Sequence, residues 1–500
     1  MATTTPTTAS STSSSTGRPT GLILAIVCVA QFMVVLDISI VNVALTGIQH
    51  DLHMSANGLA WILNAYTLTF AGFLLLGGRA ADLWGRRRLF LLGVGLFATA
   101  SLLGGLAQNG GELIAARAIQ GLGGAVLSPA TLTILTTTFT APAARARALG
   151  IWSAVAGAGG ATGVLAGGIL TDLLDWRWIL FINVPIGVAV LLVARFAITE
   201  SRLDGERPRL DVLGTLTVTA GLVALVYGIV ETDSHSWGSG LVIGSLVVGA
   251  ALIASFLVVE RRHSHPLVPL RLFTVRAVTG SNLIMVVVGA VMFALFFFMS
   301  QYLQDVQGYS PLKTGFAFLP MPLALILASQ ISSRSVRRVG IRTLLLIGPV
   351  ISAVGLILLS RLQTNSSYAL HVGIPGALIT FGIGLAMVPI TLAATGGVDR
   401  RDAGLASGLI NTTRQIGGSL GLSALLTIAT SRSHALASRG PAVAQTLGYD
   451  RAYEVLGALM LVAALIALTV LRPKKEQAED EQQAAQITAE DADLAVVELG

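Results

Sequence analysis

Apolar runs of about 20 residues recur along almost the whole chain, and each is long enough to cross the hydrocarbon core of a bilayer. The chain has 500 residues, of which 53% are hydrophobic and only 12% are charged, whereas an ordinary soluble domain is about 25% charged. The pattern therefore predicts an all-α membrane protein with fourteen transmembrane helices. The runs begin near Leu22, Leu59, Leu89, Glu112, Ala148, Ile179, Val212, Leu241, Val278, Gly315, Leu344, Leu370, Gly404 and Ala452.

The basic residues orient these helices, because cytoplasmic loops carry an excess of Lys and Arg. Most of the 32 Lys and Arg residues lie in the loops after even-numbered runs and in the two tails. Both termini are therefore predicted to be cytoplasmic, and the formal charge of +6 reflects this asymmetry and not nucleic-acid binding. We expect residues 1–20 to form a disordered cytoplasmic tail, since a Thr- and Ser-rich segment cannot build a core. Residues 473–500 are expected to form an acidic cytoplasmic tail.

Two stretches near the start of the chain resemble two stretches in its second half, in the same order. LWGRRRLF, residues 83–90, aligns with RVGIRTLL, residues 338–345. GLGGAVLSPATL, from Gly121, resembles GIGLAMVPITL, from Gly382. These matches indicate that one six-helix unit occurs twice.

The duplication predicts a six-helix bundle over residues 21–200, an inserted helix pair over 201–262 and a second six-helix bundle over 263–472. Two repeats that flank a central site are typical of transporters. No loop is long enough for a soluble catalytic or ATPase domain. We therefore expect no enzymatic activity, no metal site and no cofactor, with the proton gradient as the energy source.

The turn after the second run reads GRAADLWGRRRLF, from Gly78. Gly78 and Gly85 allow a tight turn and close backbone approach, Asp82 can cap or pair locally, and Arg86 with the next two arginines can anchor the turn at the lipid surface. A positive-inside anchor explains the arginines but neither Asp82 nor the two glycines. The pattern closely resembles the signature loop of the major facilitator superfamily, in which the loop latches one half of the transporter against the other.

RAIQGLGGA, from Arg117, is similar to another motif of that superfamily. Three further segments resemble its 14-span drug:proton antiporters: LDISIVNVAL from Leu36, WRWILFINVPIG from Trp176 and AGLASGLINTTRQIGGSLG from Ala403. The stretch GGATGVLAGG is similar to the antiporter motif of the fifth helix, although Val164 stands at its proline position. The resemblance implies the major facilitator fold, with two six-helix bundles and two inserted helices. The gating residues that it implies are Gly78, Asp82, Gly85, Arg86, Gly159, Gly163, Gly167 and Gly168.

An acid lies inside the first run, at Asp37, where a charged side chain costs roughly 2.5–3.5 kcal/mol on insertion scales. At about 1.5 Å per residue, Arg117 of the fourth run lies at a similar depth, and the resemblance implies that both helices line a central cavity. We predict that Asp37, beside Arg117, exchanges between protonated and deprotonated forms and couples transport to protons. A structural ion pair is the alternative, and Glu454 is the next candidate acid. The predicted substrate-cavity residues are Asn42, Asn64, Gln120 and Arg414.

Together these features predict a proton-coupled antiporter of the bacterial cytoplasmic membrane that exports small hydrophobic or cationic compounds, such as antibiotics and dyes. Its expected partners are a small-molecule substrate and the lipid bilayer, without nucleic acid, and we expect it to function as a monomer. A dedicated exporter of one endogenous metabolite or self-made antibiotic is the first alternative. A sensor or scaffold on a degenerate transporter fold is the second, although intact Asp37, Arg117 and Asp82 argue against it.

Overall fold

The computed structural model of the chain describes residues 20–200, 210–263, 266–396, 398 and 402–470, and these residues contain helices and no strand. Within them, fourteen long helical segments follow one another and confirm the predicted fold class. The predicted tails lie outside the described residues, apart from Thr20. The segments are α1 Thr20–Leu52, α2 Ala56–Trp84, α3 Arg86–Gly105, α4 Gly110–Thr138, α5 Pro142–Leu173, α6 Trp178–Ala197, α7 Val212–Val230, α8 Gly240–Arg262, α9 Arg276–Val306, α10 Pro311–Val339, α11 Ile341–Leu359, α12 Ala369–Gly396, α13 Ala403–Ala435 and α14 Pro441–Val470.

Of the helices in the described ranges, thirteen are long and apolar enough to cross a membrane, and α13 is the exception. It has 33 residues but carries the polar run NTTRQ from Asn411 to Gln415. It packs against α2, α9 and α14, so that neighbouring helices cover much of its surface. Polar residues on such a covered helix avoid the cost of facing lipid.

Helix contacts repeat in the two parts of the chain. α1 packs against α5 while α2 and α3 pack against α4, and likewise α9 packs against α13 while α10 and α11 pack against α12. Glycines allow close packing of α1 on α5 and of α9 on α13. A Cβ at Gly167 would lie 2.7 Å from the carbonyl oxygen of Ile40, and one at Gly417 would fall inside contact distance of the Val286 backbone. Small residues therefore let these helix backbones approach each other.

The two inserted helices, α7 and α8, pack against each other, and α7 also lies along α2 and α13. Buried Leu68 of α2 and Val226 of α7 form a small apolar core, on which Ile416 and Leu420 of α13 pack. Few residues of α8 are buried, as expected of a helix that faces lipid. α7 thus covers the line along which α2 meets α13, and α8 packs on α7.

The two ends of the helix bundle differ in how tightly they are closed. We call the end at which α1 begins and α14 ends the terminal side, and the opposite end the distal side. On the distal side, Thr46 Oγ1 of α1 donates to Gln301 Oε1 of α9 at 3.1 Å. Ser300 Oγ donates to the carbonyl of Asn42 at 2.6 Å. These hydrogen bonds hold the first and second parts of the chain together on the distal side.

Toward the terminal side, α5 and α10 separate. They meet near their distal ends, where a Cβ at Gly168 would lie 2.7 Å from the carbonyl oxygen of Pro311 and one at Gly315 would lie 3.0 Å from that of Val164. Nearer the terminal side, Ser153 and other residues of α5 are exposed, and a Cβ at Gly157 would meet no atom within 4 Å. The space between α5 and α10 therefore opens to the terminal side, whereas Leu75 of α2 still meets Gly408 of α13 near that side.

The last helix begins about three turns earlier than the predicted start, at Pro441. Its first turns come before the apolar run and include Asp450. This residue is buried and accepts the backbone N–H of Leu362 at 3.2 Å. Glu454, the next candidate acid, therefore lies about three and a half turns into the helix, at 3.6 residues per turn. Its carboxylate is about half exposed and pairs with Arg451 at 2.7 Å.

Candidate proton and substrate site

Asp37 lies near the middle of α1, and its side chain is completely buried. Arg117 Nη1 of α4 lies 2.6 Å from Asp37 Oδ2. Gln120 Nε2 and Asn183 Nδ2 donate to Asp37 Oδ1 at 2.7 and 2.9 Å. The carboxylate therefore accepts three side-chain hydrogen bonds, from α4 and α6. Bonds of this charge-assisted kind compensate for the water that a buried charge has lost.

Arg117 is enclosed as completely as its partner, with 2% of its surface exposed. Its Nη1 also donates to Gln120 Oε1 at 2.6 Å, and its Nε points to the carbonyl of Ile62 at 3.4 Å. The guanidinium carbon lies 4.4 Å from the centre of the Tyr66 ring, within the range of a cation–π contact. A carboxylate, an amide, a carbonyl and an aromatic ring thus surround the cation.

The local sequence places these side chains. Arg117 and Gln120 are three residues apart and so share one face of α4, which is turned toward α1. α6 is interrupted between Trp178–Phe181 and Asn183–Ala197, and Asn183 begins its second segment. Sequence reasoning missed Asn183, although it stands as a buried amide inside the apolar motif WRWILFINVPIG. That amide was the signal that could have identified it.

The groups that bind Asp37 also have other partners. Gln120 Nε2 lies 2.7 Å from Ser101 Oγ of α3 as well, and Arg117 also contacts Gln120 and the Tyr66 ring. The network around Asp37 therefore joins α1, α3, α4 and α6.

The glycines of the α5 motif face two different neighbours. Gly159, Gly163 and Gly167 face α1, and a Cβ at Gly163 would lie 2.7 Å from the carbonyl oxygen of Leu36, beside the buried acid. Gly168 faces the first turn of α10, where a Cβ added to it would lie 2.7 Å from a backbone oxygen. The first three glycines thus set a contact within the first part of the chain, and Gly168 sets a contact with the second part.

In the turn between α2 and α3, Gly85 has φ of 113°, a conformation that favours glycine. Gly78 lies inside α2, and a Cβ there would be 3.5 Å from its nearest neighbour, an ordinary contact. The close approach predicted at Gly78 is therefore wrong, because Gly77 faces the α4 backbone in its place. Arg86 begins α3, and the side chain of Asp82 lies outside the described structure.

Two contacts hold the turn region in place. Glu200 accepts the backbone N–H groups of Arg87 and Arg88, both at 3.2 Å, as suits a carboxylate at a helix N-terminus. Arg79 of α2 donates to the carbonyl of Pro266, in the segment before α9. Arg79 therefore links this end of α2 to the second part of the chain. Sequence reasoning missed it, because nothing in the motif set it apart from the neighbouring arginines.

The four residues predicted to line a substrate cavity are not brought together. Gln120 belongs to the Asp37 network, and Asn42 donates to a carbonyl of its own helix at 3.0 Å. Asn64 hydrogen bonds two serines of α13, both at 2.8 Å, and so joins α2 to α13. Arg414 is a partly buried residue of α13. Among the residues that the structure describes, no cluster of three or more His, Cys, Asp or Glu is placed to hold a metal ion.

Known proteins resemble this chain over most of its length. The profile of the Major Facilitator Superfamily matches residues 27–422. Puromycin resistance protein pur8 of Streptomyces alboniger is 41% identical over 474 residues, which cover 93% of this chain and 94% of that protein. Cephamycin export protein CmcT of Amycolatopsis lactamdurans is 44% identical over 415 residues, which cover 82% and 85%. The crystal structure of the POT family transporter PepTSo aligns with 89% of this chain and 98% of its own at a TM-score of 0.66 and 13% identity; that likeness concerns the fold.

Proposed function

Because the chain belongs to the major facilitator superfamily, we propose that it is a proton-coupled antiporter that exports small, largely hydrophobic compounds by alternating access. The observation that carries the proposal is the complete burial of Asp37 beside Arg117, Gln120 and Asn183. A charge inside the membrane is costly, and asparagine could supply hydrogen bonds without that cost. The acid is explained if its charge changes during the transport cycle.

The two six-helix parts of the chain, α1–α6 and α9–α14, are called the halves below. Proton and substrate are coupled if both shift the same equilibrium between two arrangements of these halves. In the arrangement described, the space between the halves opens to the terminal side and Asp37 is ion-paired, as expected after a proton has left toward that side. Substrate then enters from the terminal side, and the halves rock to open the distal side. Proton uptake there loosens the Asp37 network and accompanies substrate release.

The excess of basic residues supports a cytoplasmic terminal side, with both termini in the cytoplasm of a bacterium and the helices in its cytoplasmic membrane. The protein then moves its substrate unchanged, draws energy from the proton gradient without a bound cofactor and works as a monomer. The names of the relatives support antibiotics as substrates, since one is a puromycin resistance protein and another a cephamycin export protein.

The test is drug susceptibility and dye efflux in a host that lacks its major pumps, with and without a protonophore. We expect the chain to raise resistance to several unrelated compounds and to drive dye efflux that stops when the protonophore is added. A host that carries the empty vector is the control. Efflux that persists without a proton gradient would contradict proton coupling. If only one of the added compounds inhibits dye efflux, the protein is a dedicated exporter.

A further inference from the structure

α13 carries three neighbouring polar side chains that have no partner inside the described part of the protein. Asn411, Arg414 and Gln415 are spaced so that they share one face of the helix. None of the three side chains makes a hydrogen bond or an ion pair with another described residue, and the Nε atom of Arg414 is fully buried. Gln415 is itself only 2% exposed, whereas Arg414 is partly buried and Asn411 is exposed. Buried polar groups in folded proteins are rarely left in this state.

This polar face lies between the contacts that α13 makes with two other helices. On one side Gly421 meets Ala290 of α9, and on the other Ser419 hydrogen bonds Asn64 of α2. At about 100° per residue around an α-helix, the polar face occupies the sector between these two contacts. Since α9 and α2 belong to different halves, the sector is turned toward the space between the halves.

The depth of Arg414 places it far from either membrane surface. It lies eleven residues beyond the start of α13 at Ala403, which is about 16 Å along the helix axis in a hydrocarbon core of about 30 Å. A guanidinium at this depth requires an acceptor, because it cannot lose its proton and its burial without a partner is costly. Water can act as the hydrogen-bond acceptor while the space is open to the terminal side, but the water leaves when the space closes around a substrate.

The charges near the centre of the protein do not balance. Asp37 and Arg117 neutralise each other at 2.6 Å, whereas no described acidic side chain lies within ion-pair distance of Arg414. The space between the halves is therefore electropositive on its α13 wall. A cationic substrate would be repelled there, and an anionic group would supply the missing counter-charge.

We propose that Arg414, assisted by Asn411 and Gln415, binds an acidic group of the exported compound, a carboxylate or a group of similar geometry. A guanidinium can hold a carboxylate through two parallel hydrogen bonds, and the flanking amides can orient the rest of the compound. The proposal rests on the proposed export function and specifies its substrate class. It departs from the expectation of cationic substrates that the sequence suggested.

Three probes that share a naphthalene ring and differ in charge provide the test: naphthoate, naphthamide and naphthylmethylammonium. Each is added to the purified, solubilised full-length protein, and the thermal unfolding midpoint is measured. Naphthoate should raise the midpoint by about 2 °C or more, and the other two probes should raise it less. Equal or greater stabilisation by naphthylmethylammonium, or no stabilisation by any probe, overturns the proposal.

The variant Arg414→Gln should lose the preference for naphthoate. Arg432→Gln, which changes an exposed arginine at the other end of the same helix, should keep it. If Arg414→Gln does not fold, Arg414→Lys provides the comparison, because it retains the charge and should retain a weakened preference. A naphthoate preference that survives Arg414→Gln in folded protein contradicts the assignment.

Transport distinguishes failure of this inference from failure of the proposed function. In whole cells, Arg414→Gln should reduce efflux of carboxylate-bearing compounds at least tenfold and leave efflux of neutral ones within twofold. Protonophore-sensitive efflux that is confined to cationic compounds and unaffected by Arg414→Gln would overturn the inference and leave the export function standing. Absence of any proton-driven efflux would contradict both.

Discussion

Replacing Gly168 with alanine should shift the balance between the two arrangements of the halves. Gly168 belongs to α5 and faces the first turn of α10, so its contact crosses between the halves on the distal side. In the proposed cycle, that contact exists only while the distal side is closed. A side chain added there penalises the closed arrangement and leaves the open one untouched.

The size of the effect follows from the geometry. An alanine Cβ at Gly168 would lie 2.7 Å from the carbonyl oxygen of Pro311, whereas ordinary contact begins at 3.4 Å. The halves must therefore separate by roughly 0.7 Å at this point, in an interior that is close-packed. Overpacking of this kind costs about 1–3 kcal/mol, which corresponds to a change of about 5- to 150-fold in the ratio of the two arrangements. Gly163→Ala is the matched control, because its Cβ would lie equally close to α1, a contact that both arrangements retain.

Spin labels can report the distal separation directly. Leu174 and Leu370 are exposed distal residues of the two halves and can be changed to cysteine in a background in which Cys28 is alanine. The distance distribution between the labels, measured by double electron–electron resonance, should gain a longer component in Gly168→Ala. In Gly163→Ala the distribution should be the same as in the parent protein. Unchanged distances in Gly168→Ala, or the same shift in both variants, would refute the assignment of Gly168 to the contact between halves.

Three further changes address the gate and the acid. Gly163→Leu should insert normally but lose most dye efflux, because α5 can no longer lie against α1, whereas Gly157→Leu, which meets no atom within 4 Å, should keep it; equal efflux at matched protein levels would show that transport does not depend on close packing of α5 on α1. Asp82→Asn should slow efflux at normal expression, since it removes a charge from the turn that the sequence motif predicts to act as a latch, and a full rate would mean that the turn only anchors topology. Asn183→Ala removes one hydrogen-bond donor from the Asp37 carboxylate, so protonophore-sensitive efflux should fall at matched protein levels; full efflux would show that Asn183 has no part in coupling.

The helices of this protein could be predicted from sequence because apolar length and helix type are tied together in a membrane. Even α13 was predicted, despite its polar run, because Gly- and Ala-rich turns flank that run. The start of α14 was not predicted, since counting apolar residues finds only the part of a helix that lies in lipid. Its turns from Pro441 onward lie before the apolar run, and Asp450 there is buried by protein and not by lipid.

The candidate site could be predicted only in part. Counting residues along α1 and α4 placed Asp37 and Arg117 in one layer, and the structure brings them within 2.6 Å. Asn183 could not be predicted, because its position depends on the interruption in α6. The exchange of Gly78 for Gly77 depends on the rotation of α2 about its axis, which a motif does not specify. The partners of Asn64 lie across the two halves and follow only from the packing of α2 on α13.

The central claim is that Asp37 carries the transported proton. The most direct test is substrate transport against a concentration gradient in proteoliposomes with an imposed pH difference, comparing the parent with Asp37→Asn. Asp51→Asn is the control, because Asp51 belongs to the same helix but lies partly exposed at its distal end, paired with Arg177. We predict that Asp37→Asn is folded and binds substrate but shows no transport driven by the pH difference, while Asp51→Asn transports normally. Uphill transport by Asp37→Asn would contradict the account, as would misfolding of Asp37→Asn that Arg117→Gln reverses, which would mark the pair as structural.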